Sequence, residues 1–180
     1  MRILRENTAG LIIDLQESLF PHMQNKEQLL NRHLILCKGL RQLNIPIMVA
    51  QMYSKGLGAT IPPVLEALEH ISHLEKNSFS CLDEPLIIEA LSALQKKIII
   101  IAGIEAHVCV LQTVLDLLEN GYVPVVIEDC ISSRKEPDKS IAIKRMRSSG
   151  AIISTTESIL FELCRFAGST EFMAISGLIK

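Results

Sequence analysis

The sequence has little net charge: 18 Lys and Arg stand against 20 Asp and Glu, a formal net charge of -2 over 180 residues. That balance leaves no electrostatic footprint for nucleic acid. It also lacks a long apolar run. The longest, Ile98 to Ile104, is far short of the ~20 residues a membrane-spanning helix needs, and the polar start Met1-Arg2-Ile3-Leu4-Arg5-Glu6-Asn7 holds no signal-peptide core. No Cys-x-x-Cys pair occurs, and the five cysteines Cys37, Cys81, Cys109, Cys130 and Cys164 are odd in number and scattered. They read as reduced thiols in a cytoplasmic protein. No G-x-G-x-x-G joins the first β-rich run to the helix after it, so a dinucleotide-binding oxidoreductase is without its phosphate cradle. Repeats, low-complexity tracts and linkers are absent. What remains, at 48% hydrophobic and 21% charged, is expected to be a soluble globular chain with one domain over residues 1–180, acting on a small molecule.

Short β-rich runs at Gly10–Asp14, Pro46–Gln51, Lys97–Gly103, Val123–Glu128 and Ala151–Ser154 alternate with segments of helical period, and His73–Lys76 is a weaker strand candidate. The runs scarcely alternate, as strands covered on both faces do not. The expectation is an α/β fold: a doubly wound, mainly parallel sheet of about six strands with helices on both faces, a Rossmann-like three-layer sandwich. Helices are expected over Leu29–Leu43, Leu86–Leu94, Val110–Leu118 (ending at Asn120-Gly121), Pro137–Ser149 and Thr156–Phe166. Tyr53–Pro63 reads as an irregular loop, and loops of that length are often functional.

In such sheets ligands bind beyond the carboxyl ends of the strands. Asp14 ends the first run, Gln51 the second and Lys76 the weak one, while Lys97-Ile98-Ile99-Ile100-Ile101-Ala102-Gly103-Ile104-Glu105-Ala106-His107-Val108-Cys109 carries a strand through a glycine turn to a cysteine at a helix start. A helix N-terminus favours a thiolate and offers N–H groups to an oxyanion. A free thiol with a pKa of ~8.5 is barely ionised at neutral pH. Asp14 can therefore serve as its base and Lys76 as the cation that orients Asp14, giving thiol attack on a carbonyl and an acyl-enzyme. The plainer reading makes Cys109 a small buried hydrophobe in a noncatalytic oligomeric scaffold or ligand-binding module.

Three segments, Leu11-Ile12-Ile13-Asp14-Leu15-Gln16-Glu17, Glu75-Lys76-Asn77-Ser78-Phe79-Ser80 and Gly103-Ile104-Glu105-Ala106-His107-Val108-Cys109-Val110, together resemble the isochorismatase-like cysteine hydrolases, which include nicotinamidases and N-carbamoylsarcosine amidase. The resemblance covers nearly the whole chain. It implies that Asp14, Lys76 and Cys109 match the family's catalytic triad and that the Ile104-Glu105 peptide matches its non-proline cis bond. By the same match, the backbone amides of Glu105 and Cys109 form the oxyanion hole, and the protein is a homo-oligomer without a cofactor.

Departures narrow the chemistry. The zinc-binding nicotinamidases carry Asp-x-His after the second strand, where this chain reads Gln51-Met52-Tyr53, so no metal site is carried over. His70 and His73 read as solvated. Ala106 stands where many members have Thr, and the chain resembles a subgroup of unassigned substrate; retention of Cys109 favours an amide, carbamoyl or ester-like group. Phe20, Gln51 and Tyr53 are candidate substrate-pocket residues. His107 cannot share a helical face with Cys109 and reads as a wall or interface residue. Glu128-Asp129-Cys130-Ile131-Ser132-Ser133 reads as helix-start and loop chemistry, and the apolar tail Glu171–Ile179 is expected to dock on its own core or on a neighbouring subunit.

Overall fold

The computed structural model describes residues 1–180. Its centre is a six-stranded, wholly parallel sheet in the order β3-β2-β1-β4-β5-β6. The strands are β1 (Thr8–Ile13), β2 (Ile47–Met52), β3 (His73–Lys76), β4 (Ile98–Ile104), β5 (Val123–Ser132) and β6 (Ile152–Ser154). The helices are α1 (Lys26–Gln42), α2 (Ser54–Leu57), α3 (Pro62–Ala67), α4 (Pro85–Ala93), α5 (Leu111–Glu119), α6 (Glu136–Ser148), α7 (Thr156–Cys164) and α8 (Thr170–Ile179). The expected α/β architecture is observed, and the weak run at His73–Lys76 is a true edge strand.

Why the strands are apolar throughout is visible in β4. Ile98, Ile100, Ala102 and Ile104 pack on one side of the sheet with α1, α3, α7 and α8, whereas Ile99 and Ile101 pack on the other with α4, α5 and α6. Both faces are covered, so the period-2 alternation separates two cores instead of core from water. No helix is long and apolar enough to cross a membrane. The C-terminal α8 docks on α1 and α7 through Ile175, while Met173 stays exposed.

Two segments differ from the sequence reading. β5 runs on to Ser132, taking in the Glu128–Ser132 stretch read as loop. Its register shifts, Val126 standing opposite Ile101 and Ile131 opposite Gly103, so extra β5 residues are accommodated while Cys130 and Ile131 still pack into the two cores. The Tyr53–Pro63 stretch is not structureless: α2 and the start of α3 occupy it, and it pairs with the loop after β1. Gln16 Nε2 donates to Met52 O and Gly58 O at 2.9 and 2.8 Å, and Met52 N donates to Gln16 Oε1 at 2.8 Å.

His33, in the middle of α1, is fully buried. Its Nδ1 lies 2.9 Å from Leu29 O, and its Nε2 has no partner. Burial holds its pKa down at about 4, below the ordinary 6.5. The unfolded chain therefore binds this proton first: the stability tied to neutral His33 is complete above pH 6.5 and is lost as pH falls through about 4, an effect of about 3 kcal/mol. His33→Leu is expected to flatten that part of the acid limb in urea unfolding series run from pH 7 down to pH 4; an unaltered limb would show that another group controls it.

Candidate active site

The strand order reverses between β1 and β4, since β1 continues to β2 on one side and adjoins β4 on the other. This is the position where open α/β sheets bind ligands. Asp14 leaves the end of β1 in a left-handed conformation, φ 52°, its N–H donating to Ala50 O at 3.0 Å. The turn out of β4 begins beside it, because Gly103 is in register with Ile13.

Lys76 ends β3, two strands away, and its long side chain crosses the end of β2 to place Nζ 2.8 Å from Asp14 Oδ2, with both side chains fully buried. The ammonium also donates to Ser78 O at 3.1 Å and Phe79 O at 3.2 Å. Its three protons are thus committed, and it is a fixed positive charge rather than a mobile donor. The segment supplying those carbonyls is itself held: Glu84 Oε1 accepts from Asn77 N, Ser78 N and Ser78 Oγ, Ser80 Oγ donates to Asp116, and Cys81 N donates to Thr113 Oγ1 at 3.0 Å.

Cys109 lies in a π-helical turn, Ala106–Val110, that leads into α5. It is only 5% exposed and packs in the same apolar cluster as Cys81. Burial pushes the Cys109 thiol up, and the neighbouring Asp14 carboxylate pushes it further, against the pull of Lys76. The low-dielectric surroundings and the adjacent anion outweigh the favour that a helix start gives a thiolate. Burial also raises Asp14 despite the Lys76 ammonium. Burial alone would lower Lys76, but Asp14 and the nearby thiols outweigh it and hold it charged, above its ordinary value. Asp14 Oδ1 has no conventional hydrogen-bond partner, so one carboxylate oxygen remains available in the space it shares with the thiol.

The Ile104–Glu105 peptide is cis. Glu105 N–H donates to no acceptor in the protein, whereas Glu105 O accepts from Val108 N and Val110 N as the turn closes. The other sequence candidates separate by environment. Gln51 is buried and engaged with the loop, accepting from Thr60 N and Oγ1 and donating to Ser54 Oγ. Phe20 is half-buried against the core, and Tyr53 is exposed. His107 Nδ1 lies 2.9 Å from Ser133 Oγ, in the corner that follows β5. His70 and His73 are exposed and lie outside any helix, and no three His, Cys, Asp or Glu side chains are gathered to hold a metal ion. A polar cleft of about 250 Å³, lined in part by Gln24, Glu128, Asp129, Glu136 and Lys139, includes none of Asp14, Lys76 and Cys109. Sequence reasoning assigns no role to Glu84, Gln16 or Phe79; an acid that binds a loop's N–H groups and a glutamine two residues past a strand end are recognisable signals only once the loops are paired.

Comparison with known proteins agrees with this architecture. The isochorismatase domain matches residues 8–158. Isochorismatase family protein 1B of Dictyostelium discoideum is 37% identical, covering 99% of this chain and 89% of that protein. The structure of MAR1 ribonuclease from Caenorhabditis elegans superposes with a TM-score of 0.93 at 36% identity, covering 99% of this chain and 92% of that one. YcaC from Pseudomonas aeruginosa, solved with hexane-2,5-diol and covalent acrylamide, gives 0.92 at 26% identity, covering 98% and 91%. A parallel sheet in this order, with the site at its switch point and the domain match spanning most of its length, places the chain in the isochorismatase domain family, whose hydrolase fold it carries.

Proposed function

We propose that this protein is a metal-independent cysteine hydrolase acting on a small amide, carbamoyl or ester-like substrate, with Cys109 as nucleophile, Asp14 as base then acid, and Lys76 as fixed electrostatic support. The observation that carries the reading is the buried Lys76–Asp14 pair at 2.8 Å beside a thiol that is itself enclosed. A buried ion pair is weak support for stability, but a carboxylate paired with a cation and set next to a thiol is placed to serve as its general base. As Cys109 Sγ attacks the carbonyl carbon, its proton passes to Asp14. The oxyanion is met by the N–H groups of Glu105 and Cys109. Collapse expels the amine or alcohol, which takes the proton from Asp14 and leaves a thioester. Asp14 then deprotonates water, the water oxygen attacks, and the proton returns to the departing sulfur as the acid leaves.

A cation with all its protons committed is poorly placed to grip a phosphodiester, so the ribonuclease name of the Caenorhabditis neighbour does not redirect the reading. The covalent acrylamide in the Pseudomonas structure is in keeping with electrophile chemistry on this fold. Five unpaired thiols favour the cytoplasm, and exposed Leu86, Ile88, Phe166 and Met173 favour a homo-oligomer, which light scattering tests.

The deciding experiment is rapid mixing with p-nitrophenyl acetate followed by acid quench and peptide mass mapping. The acetyl group is expected on Cys109 of the wild type and nowhere in Cys109→Ala. An acetyl group on another residue, or p-nitrophenol release with no adduct on Cys109, would refute the nucleophile.

A further inference from the structure

Glu105 contributes more than its backbone. Its carboxylate is nearly enclosed, with 11% of the side chain exposed, and its contacts run to one residue: Arg134 Nε reaches Oε2 and Oε1 at 3.1 and 3.2 Å, and Arg134 N donates to Oε2 at 3.0 Å. Arg134 stands in the corner between β5 and α6, and that corner is anchored in turn. Gln24 Nε2 donates to Arg134 O at 2.9 Å, Gln24 N donates to Ser133 O at 3.2 Å, and Ser132 Oγ donates to Gln24 O at 2.9 Å. One residue back, Ser133 Oγ meets His107 Nδ1. Two residues of the turn that carries Cys109, Glu105 and His107, are therefore gripped by two successive residues of a single corner.

Arg134 is mostly exposed, and exposed ion pairs add little to stability. Orientation is the effect left to it. The Glu105 N–H belongs to the peptide plane preceding its Cα, and rotation about N–Cα turns that plane relative to the side chain. A carboxylate fixed at its far end by the Arg134 backbone N–H and by the guanidinium Nε–H shared between its two oxygens thus restrains where the N–H points.

We infer that Arg134 is a positioning residue: acting through the Glu105 carboxylate, it aims the otherwise free Glu105 N–H at the oxygen that becomes negative when Cys109 attacks. The inference rests on the acyl-transfer reading above, and its test must separate the two. Two reactions of the same thiol do so. Hydrolysis of p-nitrophenyl acetate builds an oxyanion, whereas alkylation by iodoacetamide displaces iodide at a saturated carbon and builds none.

Arg134→Ala is expected to lower kcat for the ester at least tenfold with KM unchanged, and to leave the Cys109 alkylation rate within twofold of the wild type. Arg134→Lys, which restores the charge without the Nε–H that Glu105 Oε1 and Oε2 share, should recover part of kcat. An unchanged kcat in Arg134→Ala overturns the inference. So does a parallel fall in both reactions, which would mean a general loosening of the turn. If the wild type and Cys109→Ala cleave the ester equally, the acyl-transfer reading fails and the inference with it.

Discussion

Lys76→Met is expected to lose about 3–5 kcal/mol of stability at neutral pH and to lower ester turnover roughly 100-fold or more. The substitution keeps most of the apolar stem and removes the charge that sits 2.8 Å from a fully buried carboxylate. Asp14 is already raised by burial with the ammonium in place; without it the carboxyl moves higher still. A group whose folded pKa is raised contributes most below its unfolded value, ~3.9, and that contribution is lost as pH rises through the folded pKa. The variant should therefore be close to wild type near pH 4 and increasingly less stable toward pH 7.5. Because the proposed base accepts the thiol proton only when ionised, the acid limb of the pH–rate profile should move to higher pH. Urea unfolding at both pH values, with the pH–rate profile, checks the pair of effects. A stability deficit that does not change with pH, or an acid limb that stays in place, would contradict it. Adding Asp14→Asn to Lys76→Met should restore much of the stability and none of the activity, since a neutral pair no longer strands a charge.

Gly103→Ala is expected to be as damaging through sterics alone. A Cβ at this position would meet Ile13 O at 2.0 Å and Ile13 N at 2.7 Å, both backbone atoms of the neighbouring strand, and the residue's φ is +134°. Backbone conformation and overpacking each cost about 1–3 kcal/mol, so a loss of about 2–6 kcal/mol follows, a drop in Tm on the order of 10 °C for a chain of this size. The clash also lies where β1 and β4 deliver Asp14 and Glu105 to the same edge. The folded fraction should consequently show lower turnover than the wild type, and thermal melts with turnover normalised to folded protein measure both. A variant within 1 kcal/mol of the wild type would mean that the two strands do not approach each other this closely.

Much of this arrangement is legible in the sequence, and the exceptions are instructive. Apolar runs without alternation announce strands covered on both faces, and Ile98 to Ile104 is such a strand. Asp14 can be placed at the site edge because a polar residue directly after a buried run must lie at its end. Lys76 is different: alone it reads as a solvated charge, and only its place at the end of a weak strand run and its likeness to a known segment single it out, because its burial depends on a partner 62 positions away. The extension of β5 through Glu128 and Asp129 is hidden because two adjacent acids interrupt the apolar pattern, and a register shift is not written in local composition. Arg134 is hidden for a similar reason. In Ser132-Ser133-Arg134-Lys135-Glu136 it is one of several charges, distinguished only by the enclosed carboxylate it faces. That burial raises the Cys109 thiol above its ordinary value escapes the sequence, because a turn motif reports the helix terminus but not the desolvation.

The distance in sequence between Asp14 and Lys76 also bears on the chain's life before it is fully folded. The two meet only after β1, β2 and β3 have paired, and Cys109 emerges from a fourth strand laid against the first. A nascent or half-collapsed chain thus presents an ordinary thiol, and the acyl chemistry proposed for it requires the finished sheet.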